Sequence, residues 1–297
     1  MKFIKTVDVK EKPLLVIVGA TASGKTALAV DLAQKLNGEI IAADSRTIYK
    51  EMNIGTAKPT LAEQTKIKHW GIDLVDPDVR FTAADFQKYA NEKIADICER
   101  RKMPILVGGS GLYVDSVIFN YQFGEKVNDE YRSKLNNMSI SELQNYCKNN
   151  NILLPENNKN KRYLVRSIER NSVVKNTHKQ LRKNTIVVGL KVDKIELRRR
   201  ISERIENMFQ LGIEAETRQL IEKYSWELES MKSNIYQFIA KCLCGELSRA
   251  EAIKLAEIDD WHLAKKQMTW FRRNKHILWL DRNDAEKYLI KLVKNKR

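Results

Sequence analysis

Residues Gly19, Ala20, Thr21, Ala22, Ser23, Gly24, Lys25 and Thr26 fit the pattern G-x-x-x-x-G-K-[ST]. In such a loop successive backbone N–H groups form a nest for phosphate oxygens, and the N-terminus of the following helix adds its dipole. Glycine at positions 19 and 24 permits backbone conformations that a side chain would obstruct. Lys25 places a point charge on the terminal phosphate, and the Thr26 hydroxyl is a candidate Mg²⁺ ligand. The implied chemistry is the gripping of a phosphate or pyrophosphate group. A second candidate is Asp44, followed by Ser45 and Arg46. A carboxylate there can take a proton from an attacking nucleophile. An Asp at a strand end also serves as a turn acid, and position alone leaves both roles open.

These groups need a frame. Residues 14–18, Leu-Leu-Val-Ile-Val, are short, apolar and β-branched, which predicts a buried parallel strand directly before the loop. A helix is expected over 26–36, with Gly38 just beyond as its stop. Residues 39–43 read as a second strand that delivers Asp44 at its carboxyl end. An amphipathic stretch over 83–101 carries Phe86, Tyr89, Ala90, Ile94 and Ile97 on one stripe. Residues 104–109 read as a third strand, closing on Gly109, Ser110 and Gly111. Alternating strands and helices imply an α/β fold, a P-loop core with a parallel sheet flanked by helices. Ligands of such sheets bind at the carboxyl ends of the strands, which places Asp44 above the loop. A Walker-type NTPase would end its third strand in an acid that holds Mg²⁺. This strand ends in Gly108 and Gly109 instead, which weakens an ordinary ATPase reading and favours a kinase or another transferase.

After residue 120 the texture changes. Residues 121–185 are rich in Asn and Lys, with short helical segments and no clear strand, and read as a small, mainly helical insertion domain. The core is then 1–120 plus 186–297. Residues 186–190 give another core strand, a helical tract follows over 194–224 with a break at Gly212, and the remainder reads as mainly helical.

The chain has 297 residues and a formal net charge of +15, with 43% hydrophobic and 31% charged residues, a soluble globular balance. From Lys159 to Lys183 nine basic residues face one Glu, and from His262 to Arg297 eleven basic residues face three acids. Two basic zones point to a polyanionic partner. No apolar run is long enough to span a membrane. The opening residues lack the apolar segment of a signal peptide, so a cytoplasmic location is expected. Cys98, Cys147, Cys242 and Cys244 form no C-x-x-C pair and read as reduced thiols.

Taken together, residues 19–26, 43–49 (Ala-Asp-Ser-Arg-Thr-Ile-Tyr), 53–59 (Asn-Ile-Gly-Thr-Ala-Lys-Pro), 83–86, 104–113 and 264–272 (Ala-Lys-Lys-Gln-Met-Thr-Trp-Phe-Arg) resemble the bacterial tRNA dimethylallyltransferase family over nearly the whole chain. The resemblance implies transfer of a dimethylallyl group from its pyrophosphate to N6 of adenosine 37 in the tRNA anticodon stem-loop. It implies Asp44 as base, Ser110 beside the target adenine, and Lys25, Mg²⁺ and Arg218 on the departing pyrophosphate. Implied tRNA contacts are Asp44, Ser45, Arg46, Thr47, Ser110, Arg132, Arg162 and Arg166. The chain departs from the family pattern at Ala20, Thr47, Trp70, Ile235, Gln237 and Trp261, mostly in RNA-contact segments. Trp70, Tyr236 and Trp261 are candidates for stacking on bases or for core packing. A monomer is the expected state. Three rivals explain part of the pattern: a small-molecule or nucleoside kinase, a prenyltransferase acting on free AMP or ATP, and an RNA-binding protein with a vestigial P-loop. The kinase reading leaves the basic insertion and residues 264–272 without a purpose. Prenylation of free nucleotides predicts an atrophied insertion. A vestigial loop predicts loss of Lys25, Thr26 or Asp44.

Overall fold

The computed structural model describes residues 12–123, 129–169, 180–232 and 235–295. They divide into two compact units, residues 1–120 with 181–297, and residues 121–180. The first unit is built on six parallel strands: β1 (Leu14–Val18), β2 (Gly38–Ala42), β3 (His69–Trp70), β4 (Met103–Gly108), β5 (Thr185–Leu190) and β6 (Leu278–Leu280), in the order β3-β2-β4-β1-β5-β6. Its helices are α1 (Lys25–Leu36), α2 (Leu61–Lys66), α3 (Ala83–Glu99), α4 (Gly111–Ile118), α8 (Lys194–Gln210), α9 (Ile213–Lys223), α10 (Tyr236–Leu243), α11 (Arg249–Phe271) and α12 (Arg282–Asn295). The second unit holds α5 (Asp129–Asn137), α6 (Ile140–Asn149) and α7 (Lys161–Glu169).

The central strand β1 pairs with β4 on one edge and β5 on the other, helices pack against it, and all five of its residues are buried. α1 covers one face of the sheet because Leu28, Ala29, Leu32, Ala33 and Leu36 recur at helical spacing. Ala285, Leu289 and Val293 of α12 join the same core. A second core lies among α8, α9, α10 and α11, around Ile201, Ile205, Ile239 and Ala256. The second unit has its own core of Leu135, Leu143, Cys147, Ile152, Leu164, Val165 and Ile168.

Several elements differ from the sequence expectation. The stop of α1 is Asn37, left-handed at φ 50, and Gly38 already pairs with Met103 as the first residue of β2. The break at Gly212 is a left-handed N-cap (φ 92) between α8 and α9. The second unit ends at Gln180, not at 185, because Arg182 is tied to the core. Its N–H donates to the Ile118 carbonyl at 2.7 Å and its guanidinium to Asn91 Oδ1 at 2.7 Å. Strands β3 and β6 were not expected; they hold two and three residues, too few to show a period. Among the described residues no helix is long and apolar enough to cross a membrane.

At the amino end of the sheet, Glu39 of β2 is 3% exposed. Its carboxylate accepts hydrogen bonds from Arg100 (2.5 and 2.8 Å), Lys102 (2.7 Å) and the Trp70 indole N–H (2.8 Å). The Arg100 hydrogen bonds, chiefly, hold this carboxyl down to about 2. A depressed acid contributes stability above its ordinary range and loses it as pH falls through the folded value. Glu39→Gln is expected to cost about 2 kcal/mol at neutral pH. In urea melts the gap between parent and variant should close as pH falls from 4.5 towards 2. A gap that is constant over that window would contradict the assignment.

Candidate active site at the carboxyl end of the sheet

β1 ends at Val18 and the chain turns through the loop into α1. Two residues of the turn are left-handed, Ala22 (φ 58) and Gly24 (φ 84). For Ala22 this is mild strain, of the kind found where a backbone is shaped for a ligand. The Ser23 N–H donates to the Ala20 carbonyl at 3.2 Å and the Leu28 N–H to the Gly24 carbonyl at 3.1 Å. The N–H groups of Lys25, Thr26 and Ala27 head α1, where a helix supplies no acceptor of its own. The Ser23 hydroxyl is buried without a partner among the described residues. These are the donors that a phosphate would complete. The Thr26 side chain is exposed at the same helix start.

Thr21 plays a different part. It is 5% exposed, its N–H donates to Gln267 Oε1 at 2.7 Å, and its hydroxyl accepts the Arg204 guanidinium at 2.7 Å. Its N–H is engaged by protein, and its hydroxyl accepts from Arg204 with the O–H proton left to donate.

Lys25 donates to the Ala20 carbonyl at 3.0 Å. Burial pulls its pKa down to about 8, against the raising charges of Asp44 and Asp260 and with Arg204 pushing the same way as burial. Arg204 also donates to Asp260 at 2.9 Å, and Arg200 approaches the Ser23 carbonyl at 3.5 Å. Burial raises the Asp260 carboxyl and Arg204 opposes that.

Asp44 and Ser110 follow the neighbouring strands β2 and β4. The Ala43 N–H donates to the Val107 carbonyl at 2.7 Å and the Ser110 N–H to the Ala43 carbonyl at 3.2 Å. The Ser45 N–H donates to Ser110 Oγ at 2.9 Å, and that hydroxyl donates on to Ser45 Oγ at 3.2 Å. Asp44 Oδ1 accepts the Arg46 N–H at 2.9 Å, a local turn bond. The turn bond occupies one carboxylate oxygen, and the second has no hydrogen bond among those described. Lys25, Asp44 and Ser110 therefore gather at one end of one sheet.

Other expected contacts fare differently. Thr47 is 6% exposed and its hydroxyl is buried, because its carbonyl is drawn inward to accept the Asp73 N–H at 3.1 Å. It offers nothing to RNA in this conformation. Arg218 is exposed on α9 and has no described contact with the loop; Arg200 and Arg204 reach the loop instead. Their signal in the sequence is spacing: two arginines four apart on the helix that follows a core strand. Arg132 pairs with Glu169 at 3.4 Å inside the second unit. Arg162 and Arg166 are exposed one turn apart on α7, opposite the buried Leu164, Val165 and Ile168.

Of the aromatic candidates, Tyr236 is fully buried and its hydroxyl donates to Glu216 at 2.6 Å. Trp70 is tied to Glu39, and Trp261 lies under Arg198, whose guanidinium is 4.1 Å from the ring centroid. Gln237 is half-buried on α10, and Asn234 lies outside the described residues, as do residues 170–179 of the first basic zone. Glu216 was missed by the sequence reading. Its carboxylate accepts the N–H groups of Asn53, Ile54 and Gly55 at 2.8 to 3.1 Å, so it pins the loop that follows Asp44.

Among the described residues no cluster of three His, Cys, Asp or Glu could hold a metal ion by itself. Mg²⁺ commonly takes one or two protein ligands and completes its shell with phosphates and water. The exposed Thr26 hydroxyl at the helix start fits that sparse arrangement.

Comparison with known proteins bears on the whole frame. The family model described as IPP transferase matches residues 47–274. A tRNA dimethylallyltransferase of Acetivibrio thermocellus is 37% identical over 300 residues, covering 95% of this chain and 96% of its own. One from Desulfitobacterium hafniense is 38% identical over 288 residues, covering 91% and 92%. The crystal structure of a tRNA isopentenylpyrophosphate transferase from Bacillus halodurans superposes with a TM-score of 0.74 at 32% identity, covering 97% of this chain and 98% of that one. A eukaryotic dimethylallyltransferase shares the fold, with a TM-score of 0.75 at 24% identity over 93% of this chain and 75% of its own. A parallel P-loop sheet with a basic helical insertion, matched end to end by these proteins, is a prenyltransferase frame, and the chain belongs to the IPP transferase family of tRNA dimethylallyltransferases.

Proposed function

We propose that this enzyme transfers the dimethylallyl group of dimethylallyl pyrophosphate to N6 of adenosine 37 in tRNA, releasing pyrophosphate, and that it does so in the cytoplasm. The observation that carries the reading is the placing of a carboxylate and a hydroxyl, Asp44 and Ser110, on adjacent strand ends beside a P-loop whose own sheet offers no Walker acid. That set of groups suits a leaving pyrophosphate and a weak nitrogen nucleophile better than hydrolysis of a nucleotide.

The N6 lone pair of adenine is delocalised into the ring, so attack needs help with the proton. Asp44 accepts that proton as the N6–C1 bond forms and the C1–O bond to pyrophosphate breaks. Ser110 holds the base edge by a hydrogen bond. The helix N–H groups of Lys25 and Thr26 and the Lys25 ammonium take up charge on the departing oxygens, with Arg204 and Arg200 behind the loop. Thr26 is the residue that would hold Mg²⁺, which would supply further charge neutralisation. The target base is stacked in its loop and must be extruded to meet Asp44. The exposed Arg162 and Arg166 suit phosphate contacts that carry affinity without sequence.

Asp44→Asn should lower kcat by about 10²- to 10⁴-fold with little change in pyrophosphate affinity, read by nucleoside mass spectrometry and by calorimetry. A variant that still modifies tRNA at the parent rate would remove Asp44 from the base role. Arg162→Ala with Arg166→Ala should weaken tRNA binding and flatten its salt dependence by about two phosphate contacts, leaving pyrophosphate binding as it was; an unchanged salt slope speaks against RNA contact there.

Lys25 gives a pH prediction. Its charge is lost as pH rises through about 8 in the free enzyme, so anion binding above that pH must take up a proton. The ratio of pyrophosphate affinities between parent and Lys25→Met should shrink above pH 8 and be largest below it. A ratio independent of pH from 7 to 9.5 would show that Lys25 stays charged throughout.

A further inference from the structure

The loop after β1 and the turn after β4 belong to different strands, yet one side chain touches both. Gln267 of α11 accepts the Thr21 N–H through Oε1 at 2.7 Å. Its Nε2 lies against the bare face of Gly109, where an added Cβ would come within 2.3 Å of it. Gly109 precedes Ser110, so Gln267 bridges the leaving-group cradle and the residue beside the base.

The same helix holds the loop a second time. Asp260 sits seven residues before Gln267, two turns along one face of α11. It binds Arg204 at 2.9 Å, and Arg204 binds the Thr21 hydroxyl at 2.7 Å. Three residues beyond Gln267, Trp270 packs on Gly111 and its indole N–H donates to Asp115 at 2.9 Å. α11 therefore runs from the P-loop to the start of α4 with a fixed contact at each step. The Thr21 N–H is turned towards Gln267, which leaves the N–H groups at the head of α1 as the ones aimed outward.

We propose that Gln267 is a positioning residue that sets the distance between the pyrophosphate cradle and the Asp44–Ser110 pair. The idea rests on the reaction proposed above, in which those two groups of residues act on opposite ends of the transferred carbon. Misplacement by about 1 Å at such a site costs on the order of 10²-fold in rate, while binding of tRNA at a distance is untouched.

The test compares the full-length parent with Gln267→Met, which keeps the length of the side chain and removes the acceptor. Folding is checked by thermal melting. The expected result is a folded variant whose dissociation constant for inorganic pyrophosphate with Mg²⁺ rises about tenfold, whose kcat for tRNA falls at least about tenfold, and whose KM for tRNA is unchanged. A folded variant with parental pyrophosphate affinity and kcat overturns the proposal. Gly109→Ala is the second variant, because it pushes Gln267 aside without removing it. A lowered kcat with unchanged KM for tRNA supports the bridge, and parental kcat overturns it even if Gln267→Met does not fold. If the parent itself binds pyrophosphate but does not alkylate tRNA, the proposed reaction fails, and the pyrophosphate arm still decides whether Gln267 shapes the cradle.

Discussion

The close approach of β2 and β4 governs the site. A Cβ on Gly108 would lie 2.0 Å from the Ala43 carbonyl oxygen, so only glycine lets these two strand ends come together. That contact permits the paired hydrogen bonds of Ala43 with Val107 and Ser110. Asp44 follows Ala43 directly, and Ser110 follows Gly108 by two residues. Their neighbourhood is thus a property of the backbone, set before any side chain chooses a rotamer. The same feature explains why β4 carries no acid at its end: a side chain at 108 would part the strands that the base depends on.

Around this backbone core the charges are arranged asymmetrically. Lys25, Arg200 and Arg204 crowd the loop, while Asp44 and Asp260 sit beside them without neutralising a bound anion's place. The Lys25 ammonium donates to a backbone carbonyl, a weak partner for a desolvated cation.

Much of this was legible in the sequence. The loop, strands β1, β2, β4 and β5, and the strand-end position of Asp44 all follow from short apolar runs broken by glycine and polar turns. What was not legible depended on distance between segments far apart in the chain. Gln267 lies in the 264–272 segment and Asp260 reads as an ordinary polar residue, but only packing brings either of them to Thr21 or to Arg204. Glu216 looks like one acid among several on α9, although it holds three backbone N–H groups of a loop more than 160 residues earlier. Arg218 was expected from the resemblance, while Arg204 on the preceding helix α8 makes the contact. Trp70 and Tyr236 stand where RNA contacts were expected, but their polar atoms are spent on Glu39 and Glu216. Thr47 is likewise turned inward. Polar atoms that find partners inside the fold are invisible to any reading that treats each residue by type.

The cluster around Glu39 lies at the amino ends of the strands, the far side of the sheet from the loop and from Asp44. Its residues can change without moving any group that meets a substrate. The two rims of the sheet are in that sense separate inheritances. A change confined to the Glu39 rim acts on stability. Stability can therefore be altered from the rim opposite the proposed site.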